Sequence, residues 1–62
     1  MKSRDVIKAL KAAGFAKVGQ KGSDVQFKHP DRPGRVTVPH PEADLPIGTL
    51  KSIERQSNVK LT

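Results

Sequence analysis

Residues 17–28, KVGQKGSDVQFK, decide the fold, because apolar and polar side chains alternate on both sides of a Lys-Gly-Ser turn. Alternation with a period of two indicates β-strands, and Gly22 with Ser23 is typical of the turn of a hairpin. The side chains assigned to the buried face are Ala16, Val18, Val25 and Phe27. The stretch therefore predicts two antiparallel strands with one apolar face.

A helix is predicted before this hairpin. Its apolar positions, which recur at helical spacing, are Val6, Ile7, Leu10 and Ala13. Ser3 is a typical N-cap, and Gly14 is typical of the residue that follows the last helical turn. We therefore expect the first helix to extend from Arg4 to Ala13, with its apolar face turned toward the sheet.

The chain after the hairpin predicts a third strand and a second helix. Residues 29–34 are rich in turn formers, and residues 35–38 alternate again, so they form the third strand. Pro39 and Pro41, two prolines within three residues, predict a loop at residues 40–44. Pro46 suits the first turn of a helix, and Asn58 suits its left-handed end. The predicted fold is α+β, with the order α-β-β-β-α and both helices on one face of a three-stranded antiparallel sheet.

Length and charge limit the possible functions. We expect residues 1–62 to form a single domain, since so short a chain cannot support two cores. Twelve Lys and Arg residues against six Asp and Glu residues give a net charge of +6, which favours an anionic partner, although a merely soluble surface would also account for it. Without cysteine there is no disulfide, thiol nucleophile or zinc finger, and cytoplasm is the expected compartment. The N-terminal residues lack the apolar run of a signal peptide, and no membrane segment is expected.

The face of the sheet opposite the helices is predicted to be polar and mostly cationic. Its side chains are Lys17, Asp24, Gln26, Lys28, Arg35 and Thr37. Lysine and arginine contact phosphates, and glutamine and threonine bond phosphate, sugar or base edges. The alternative is a solvated sheet face with no ligand. Aromatic stacking on RNA is not expected, since Phe15 and Phe27 are predicted to be core residues.

Three stretches resemble the HicA toxin family: GSDVQFKHP (22–30), VTVPHP (36–41) and DLPIGTLKSI (44–53). The resemblance extends over nearly the whole chain. It implies a fold like that of double-stranded-RNA-binding domains and a toxin that degrades mRNA without a metal or other cofactor. It also implies an antitoxin partner, HicB, which binds the toxin and masks its active surface.

The resemblance makes Asp24 the candidate catalytic position. Members of the family have Gly-Ser-His at the start of the second strand, with that histidine as the catalytic residue, whereas Gly22 and Ser23 here precede Asp24. Metal-free cleavage of RNA needs a base for the 2′-hydroxyl proton and an acid for the leaving oxygen, and a group that titrates near neutrality serves best. An aspartate is ionised at neutral pH, so we expect reduced cleavage. Either Asp24 was introduced to silence a toxic protein, or it is natural and Asp24 or another residue performs the chemistry.

The remaining candidate residues are assigned to RNA binding. They are Lys17, Lys21, Gly22, Ser23, Gln26, Lys28, His29, Arg35 and Thr37. His29 and His40 both lie beside prolines, and we expect structural or phosphate-contact roles for them. No spacing typical of metal ligands links the acidic residues. Three hypotheses stay open at this point: an impaired toxin ribonuclease, an RNA-binding module that does not cut, and a protein that only binds an antitoxin.

Overall fold

The computed structural model describes all 62 residues and contains two helices and three strands. In chain order they are α1 (Ser3–Ala12), β1 (Ala16–Lys21), β2 (Asp24–Lys28), β3 (Val36–Pro39) and α2 (Ile47–Ser57). The strands form one antiparallel sheet in the order β1-β2-β3, so β2 is central. The predicted order of elements and the predicted α+β class are confirmed. Neither helix is long and apolar enough to cross a membrane.

One hydrophobic core joins both helices to the sheet. Each helix contributes two of its buried residues, Val6 and Leu10 from α1 and Leu50 and Ile53 from α2. The other buried residues of the core are Phe15, Val25, Phe27, Val36, Val38 and Leu45. Since the buried residues of β2 and β3 alternate with exposed or half-buried ones, both helices cover the same face, and the opposite face meets solvent.

The first strand departs from the predicted alternation. Val18 is 47% exposed and Ala16 is exposed, so their assignment to the buried face is wrong. The pairing with β2 shifts between Lys17 and Gly19, which leaves Val18 as an extra residue in a β-bulge. A bulge offsets the alternation by one residue and is common on edge strands, where it disrupts pairing with other chains.

The helix ends combine two confirmed expectations and two corrections. Ala13, predicted to lie on the buried face of the first helix, is exposed and is the C-cap that follows α1. Gly14 has φ +97° after α1, and Asn58 ends α2 with φ 59°, as their left-handed assignments predicted. Ser3, however, is the first residue of α1 rather than its N-cap, which is Lys2. The Ser3 side chain is therefore available for bonds outside the helix.

The C-terminal residues are held against α2 by one carboxylate. Glu54 accepts hydrogen bonds from the backbone N–H groups of Leu61, at 2.6 Å, and Thr62, at 2.9 Å. These two bonds, the one from Leu61 foremost, lower the pKa of Glu54 below its ordinary value of 4.5. Leu61 and Val59 consequently pack against the core.

We predict that Glu54→Gln reduces the free energy of unfolding in a pH-dependent way. A carboxylate whose pKa is lower in the folded state stabilises the fold above its unfolded-state pKa, and this contribution is lost as the pH falls through the folded-state value. The difference in urea midpoint between the original chain and Glu54→Gln should be largest near pH 7 and should shrink as the pH drops below 4.5. Glu42→Gln is the matched control, because the Glu42 carboxylate accepts no hydrogen bond. A difference that stays constant from pH 7 to pH 3 would contradict the prediction.

Candidate nucleic-acid interface

The solvent-facing side of the sheet carries six polar side chains around the central strand. We call this surface the open face, and its residues are Lys21, Asp24, Gln26, Lys28, Arg35 and Thr37. Residues directly opposite each other on antiparallel strands share a face, and the register places Gln26 between Gly19 and Thr37. The Arg35 guanidinium donates to Gln26 Oε1 at 2.9 Å, which holds that cation over the middle of the sheet. The open face therefore has three cations, one carboxylate and two neutral polar groups.

Asp24 lies at the start of β2 and at the edge of the open face. Its cross-strand neighbours are Lys21 on β1 and Pro39 on β3. Its side chain is exposed and forms no ion pair within 4.0 Å, since the only ion pair in the chain joins the N-terminus to Asp44. An ionised carboxylate in this position accepts hydrogen bonds but donates none. Asp24 is thus an exposed carboxylate on the open face, with Lys21 as its cross-strand neighbour.

Lys17 lies outside the open face. The register pairs it with Phe27, whose side chain is on the helix side, and the bulge at Val18 is the physical reason for this change of side. Its ammonium donates to Gln20 Oε1 at 3.0 Å, and Gln20 in turn donates to the Gly22 carbonyl at 3.0 Å. The prediction that Lys17 shares a face with Gln26 and Lys28 is therefore wrong, and Lys17 supports the turn at the sheet edge instead.

His29 is bound within the fold on three sides. Its ring meets the Phe15 ring edge-on, with centroids 5.1 Å apart, and its Nδ1 accepts the Asp31 N–H at 3.0 Å. A Cβ atom added at Gly14 would lie 2.8 Å from its Nε2, so the end of α1 packs directly against the ring. These contacts favour the structural role expected for His29.

His40 connects the candidate site to the start of α1. Its backbone N–H donates to the Ser23 carbonyl at 2.7 Å, immediately before Asp24. Its imidazole Nδ1 is 2.7 Å from the Ser3 hydroxyl, which also accepts the Glu42 N–H at 2.9 Å. Pro39, the cross-strand partner of Asp24, precedes His40 in the chain. Because Ser3 is 1% exposed at the start of α1, its bond to Nδ1 holds the His40 ring on the helix side of the sheet. The structure thus brings the His40 backbone to the site and directs its imidazole elsewhere.

The role of Ser3 was missed by the sequence analysis, which assigned its hydroxyl to a helix cap. A serine at a helix start carries that local signal, whereas its partners His40 and Glu42 are distant in the chain. No group of three or more His, Cys, Asp or Glu side chains is placed to hold a metal ion.

One comparison with known proteins identifies a relationship. A family model described as the HicA toxin of bacterial toxin–antitoxin systems matches residues 3–59. No curated protein gives a significant match to the chain. The family match covers both helices and all three strands, and so includes the whole open face.

We predict that Ser3→Ala lowers the free energy of unfolding by about 1–3 kcal/mol, because it leaves the partly buried Glu42 N–H and the His40 ring without their partner. The measurement is urea-induced unfolding followed by circular dichroism. Ser52→Ala is the matched control, since the Ser52 hydroxyl accepts only an exposed bond from Gln56, and its effect should stay within about 0.5 kcal/mol. Equal effects of the two substitutions would show that the Ser3 hydroxyl does not hold the loop.

Proposed function

Since the chain belongs to the HicA toxin family of bacterial toxin–antitoxin systems, we propose that it is a toxin that binds RNA on its open face and cleaves it weakly. The observation that carries the proposal is the composition of the open face. Lys21, Lys28 and Arg35 supply positive charge there, and Asp24 occupies the position that the family resemblance assigns to catalysis. RNA is the substrate class that this surface suits, because cations on a flat polar face contact phosphates without reading sequence.

The weakness of cleavage follows from the chemistry of Asp24. A ribonuclease that works without metal must move one proton from the 2′-hydroxyl and another to the leaving oxygen. Asp24 is solvent-exposed and accepts no hydrogen bond. A carboxylate is a poorer general acid at neutral pH than the imidazole that the family has at this position. Its negative charge also opposes the approach of a phosphate to Lys21. Binding without efficient cleavage is the expected behaviour.

The partner in this proposal is a HicB-type antitoxin that covers the open face. Carboxylates of the antitoxin would meet the three cations that otherwise hold phosphates, so the two ligands compete. Opposite charge also speeds association. A chain that only binds the antitoxin would bind HicB but not RNA, and this difference separates that alternative from the proposal.

We predict that Asp24→His increases cleavage of a labelled single-stranded RNA in EDTA by roughly 10²–10⁴-fold, the usual contribution of a positioned acid–base group. Asp24→Asn is the matched control, because it removes the negative charge without supplying a group that titrates near neutrality. Its RNA affinity should rise while cleavage stays low.

Two results would contradict this assignment. Equal cleavage by the original chain and Asp24→His would place the catalytic group elsewhere. Equal gains from histidine and asparagine would mean that charge repulsion, rather than the missing acid–base group, limits the reaction.

We also predict that replacing Lys21, Lys28 and Arg35 together by glutamine weakens RNA binding and reduces its salt dependence. Each lost phosphate contact on a single strand lowers the slope of log K against log salt by about 0.7, so the triple variant should lose about 2. The control replaces three exposed lysines of the helices, Lys8, Lys11 and Lys51, and changes the net charge equally. The same triple replacement on the open face should weaken antitoxin binding. If both triple variants bind RNA alike, the open face is not the binding surface.

A further inference from the structure

A second polar site lies outside the open face, between the first turn of α1 and the loop after β3. It is a cavity of about 330 Å³. Its polar lining consists of Lys2, Ser3, Arg4, His40 and Glu42, and only one of its seven lining residues is hydrophobic. Much of the exposed lining consists of the carbon atoms of these side chains, so the polar and charged groups that they carry determine which ligand the cavity prefers.

The hydrogen bonds of Ser3 determine which imidazole nitrogen of His40 is available to this cavity. The Ser3 hydroxyl oxygen accepts a hydrogen bond from the Glu42 N–H. The same hydroxyl lies 2.7 Å from His40 Nδ1, so these two groups share the other hydrogen bond of Ser3. When the Ser3 hydroxyl donates to Nδ1, it both donates and accepts a hydrogen bond, and Nε2 is the ring nitrogen that carries a proton. Nε2 has no hydrogen-bond partner in the chain, and His40 is one of the residues that line the cavity.

The charged groups around this donor favour an anion. Lys2 and Arg4 are exposed, and neither side chain forms an ion pair or hydrogen bond with another residue. They outnumber the single carboxylate of the lining, Glu42. A guanidinium, an ammonium and an N–H donor around one cavity are the groups that bind phosphate oxygens.

We propose that this cavity binds a phosphate group of the same RNA strand that crosses the open face. The inference rests on the proposed function and extends it to a second contact. His40 follows Pro39, the cross-strand partner of Asp24, and its backbone binds Ser23, so the cavity borders the end of the open face nearest Asp24. A strand that passes Asp24 and continues over the end of β3 meets Lys2, Arg4 and His40 next.

The first test replaces Lys2 and Arg4 together by glutamine and measures the binding of a labelled single-stranded RNA at several salt concentrations. The matched control replaces Lys8 and Lys11, which are exposed on α1, by glutamine. This control removes the same number of positive charges. We expect the Lys2/Arg4 variant to bind about tenfold more weakly, with a slope smaller by about 0.7 for one lost phosphate contact. The Lys8/Lys11 variant should keep the original slope.

The second test uses a substitution that should strengthen RNA binding, because a variant that fails to fold could not show a gain in affinity. Glu42→Gln removes the only carboxylate of the cavity and should tighten RNA binding several-fold. Asp31→Asn makes the same change of charge in the turn between β2 and β3 and should have a smaller effect. Equal effects of the two substitutions would overturn the proposed site.

Inorganic phosphate and RNA are distinguished by NMR of the His40 ring. Perturbation of the ring by RNA, lost in the Lys2/Arg4 variant, supports the proposal. Perturbation by inorganic phosphate but not by RNA overturns it in favour of a free-phosphate site. The cavity proposal fails if the Lys2/Arg4 variant has the same RNA affinity and salt slope as the Lys8/Lys11 variant. The proposed function still stands in that case if the triple variant of the open face loses RNA affinity. If the chain binds no RNA, both fail.

Discussion

Both helices lie on one face of the sheet because ten buried apolar side chains must share a single core. A chain of 62 residues has too few apolar residues to build a second layer on the other side. The polar positions of β2 and β3 must therefore face water, since their neighbours in the alternation are buried. The open face, with its cations and Asp24, is a direct consequence of this constraint.

The same packing takes both histidines away from the open face. His29 lies against Phe15 and Gly14, and His40 is bonded to Ser3 at the start of α1. The proposed cleavage would therefore have only Asp24 as an acid–base group on the open face, and an exposed aspartate is poorly suited to donate a proton at neutral pH. Membership in the HicA family is compatible with the proposed weak cleavage, because the fold and the cations of the open face do not depend on the group at this position.

The positive charge of the chain is distributed over two surfaces with different geometry. On the open face, Arg35 is held by Gln26 over a flat sheet, whereas Lys2 and Arg4 stand at the rim of a cavity. A flat array of cations suits an extended backbone or a broad protein partner, whereas two cations beside one cavity suit a single phosphate, as proposed for Lys2 and Arg4. The Ser3, His40 and Ser23 bonds join the two surfaces, so the position of the loop after β3 affects both.

Local patterns in the sequence were sufficient for the order of elements, the buried faces of β2 and β3, and the left-handed ends at Gly14 and Asn58. They also identified the core residues of the helices, Val6, Leu10, Leu50 and Ile53, although Ala13 is exposed. Each of these features depends on residues within a few positions of one another, where periodicity and backbone preference act directly. The resemblance to the HicA family identified Asp24 as the candidate catalytic position. The bulge at Val18, the displacement of Lys17 and the pairing of Ser3 with His40 were decided only in the folded chain. They depend on how β1 aligns with β2 and on contacts between residues 37 positions apart, for which neighbouring residues carry no signal.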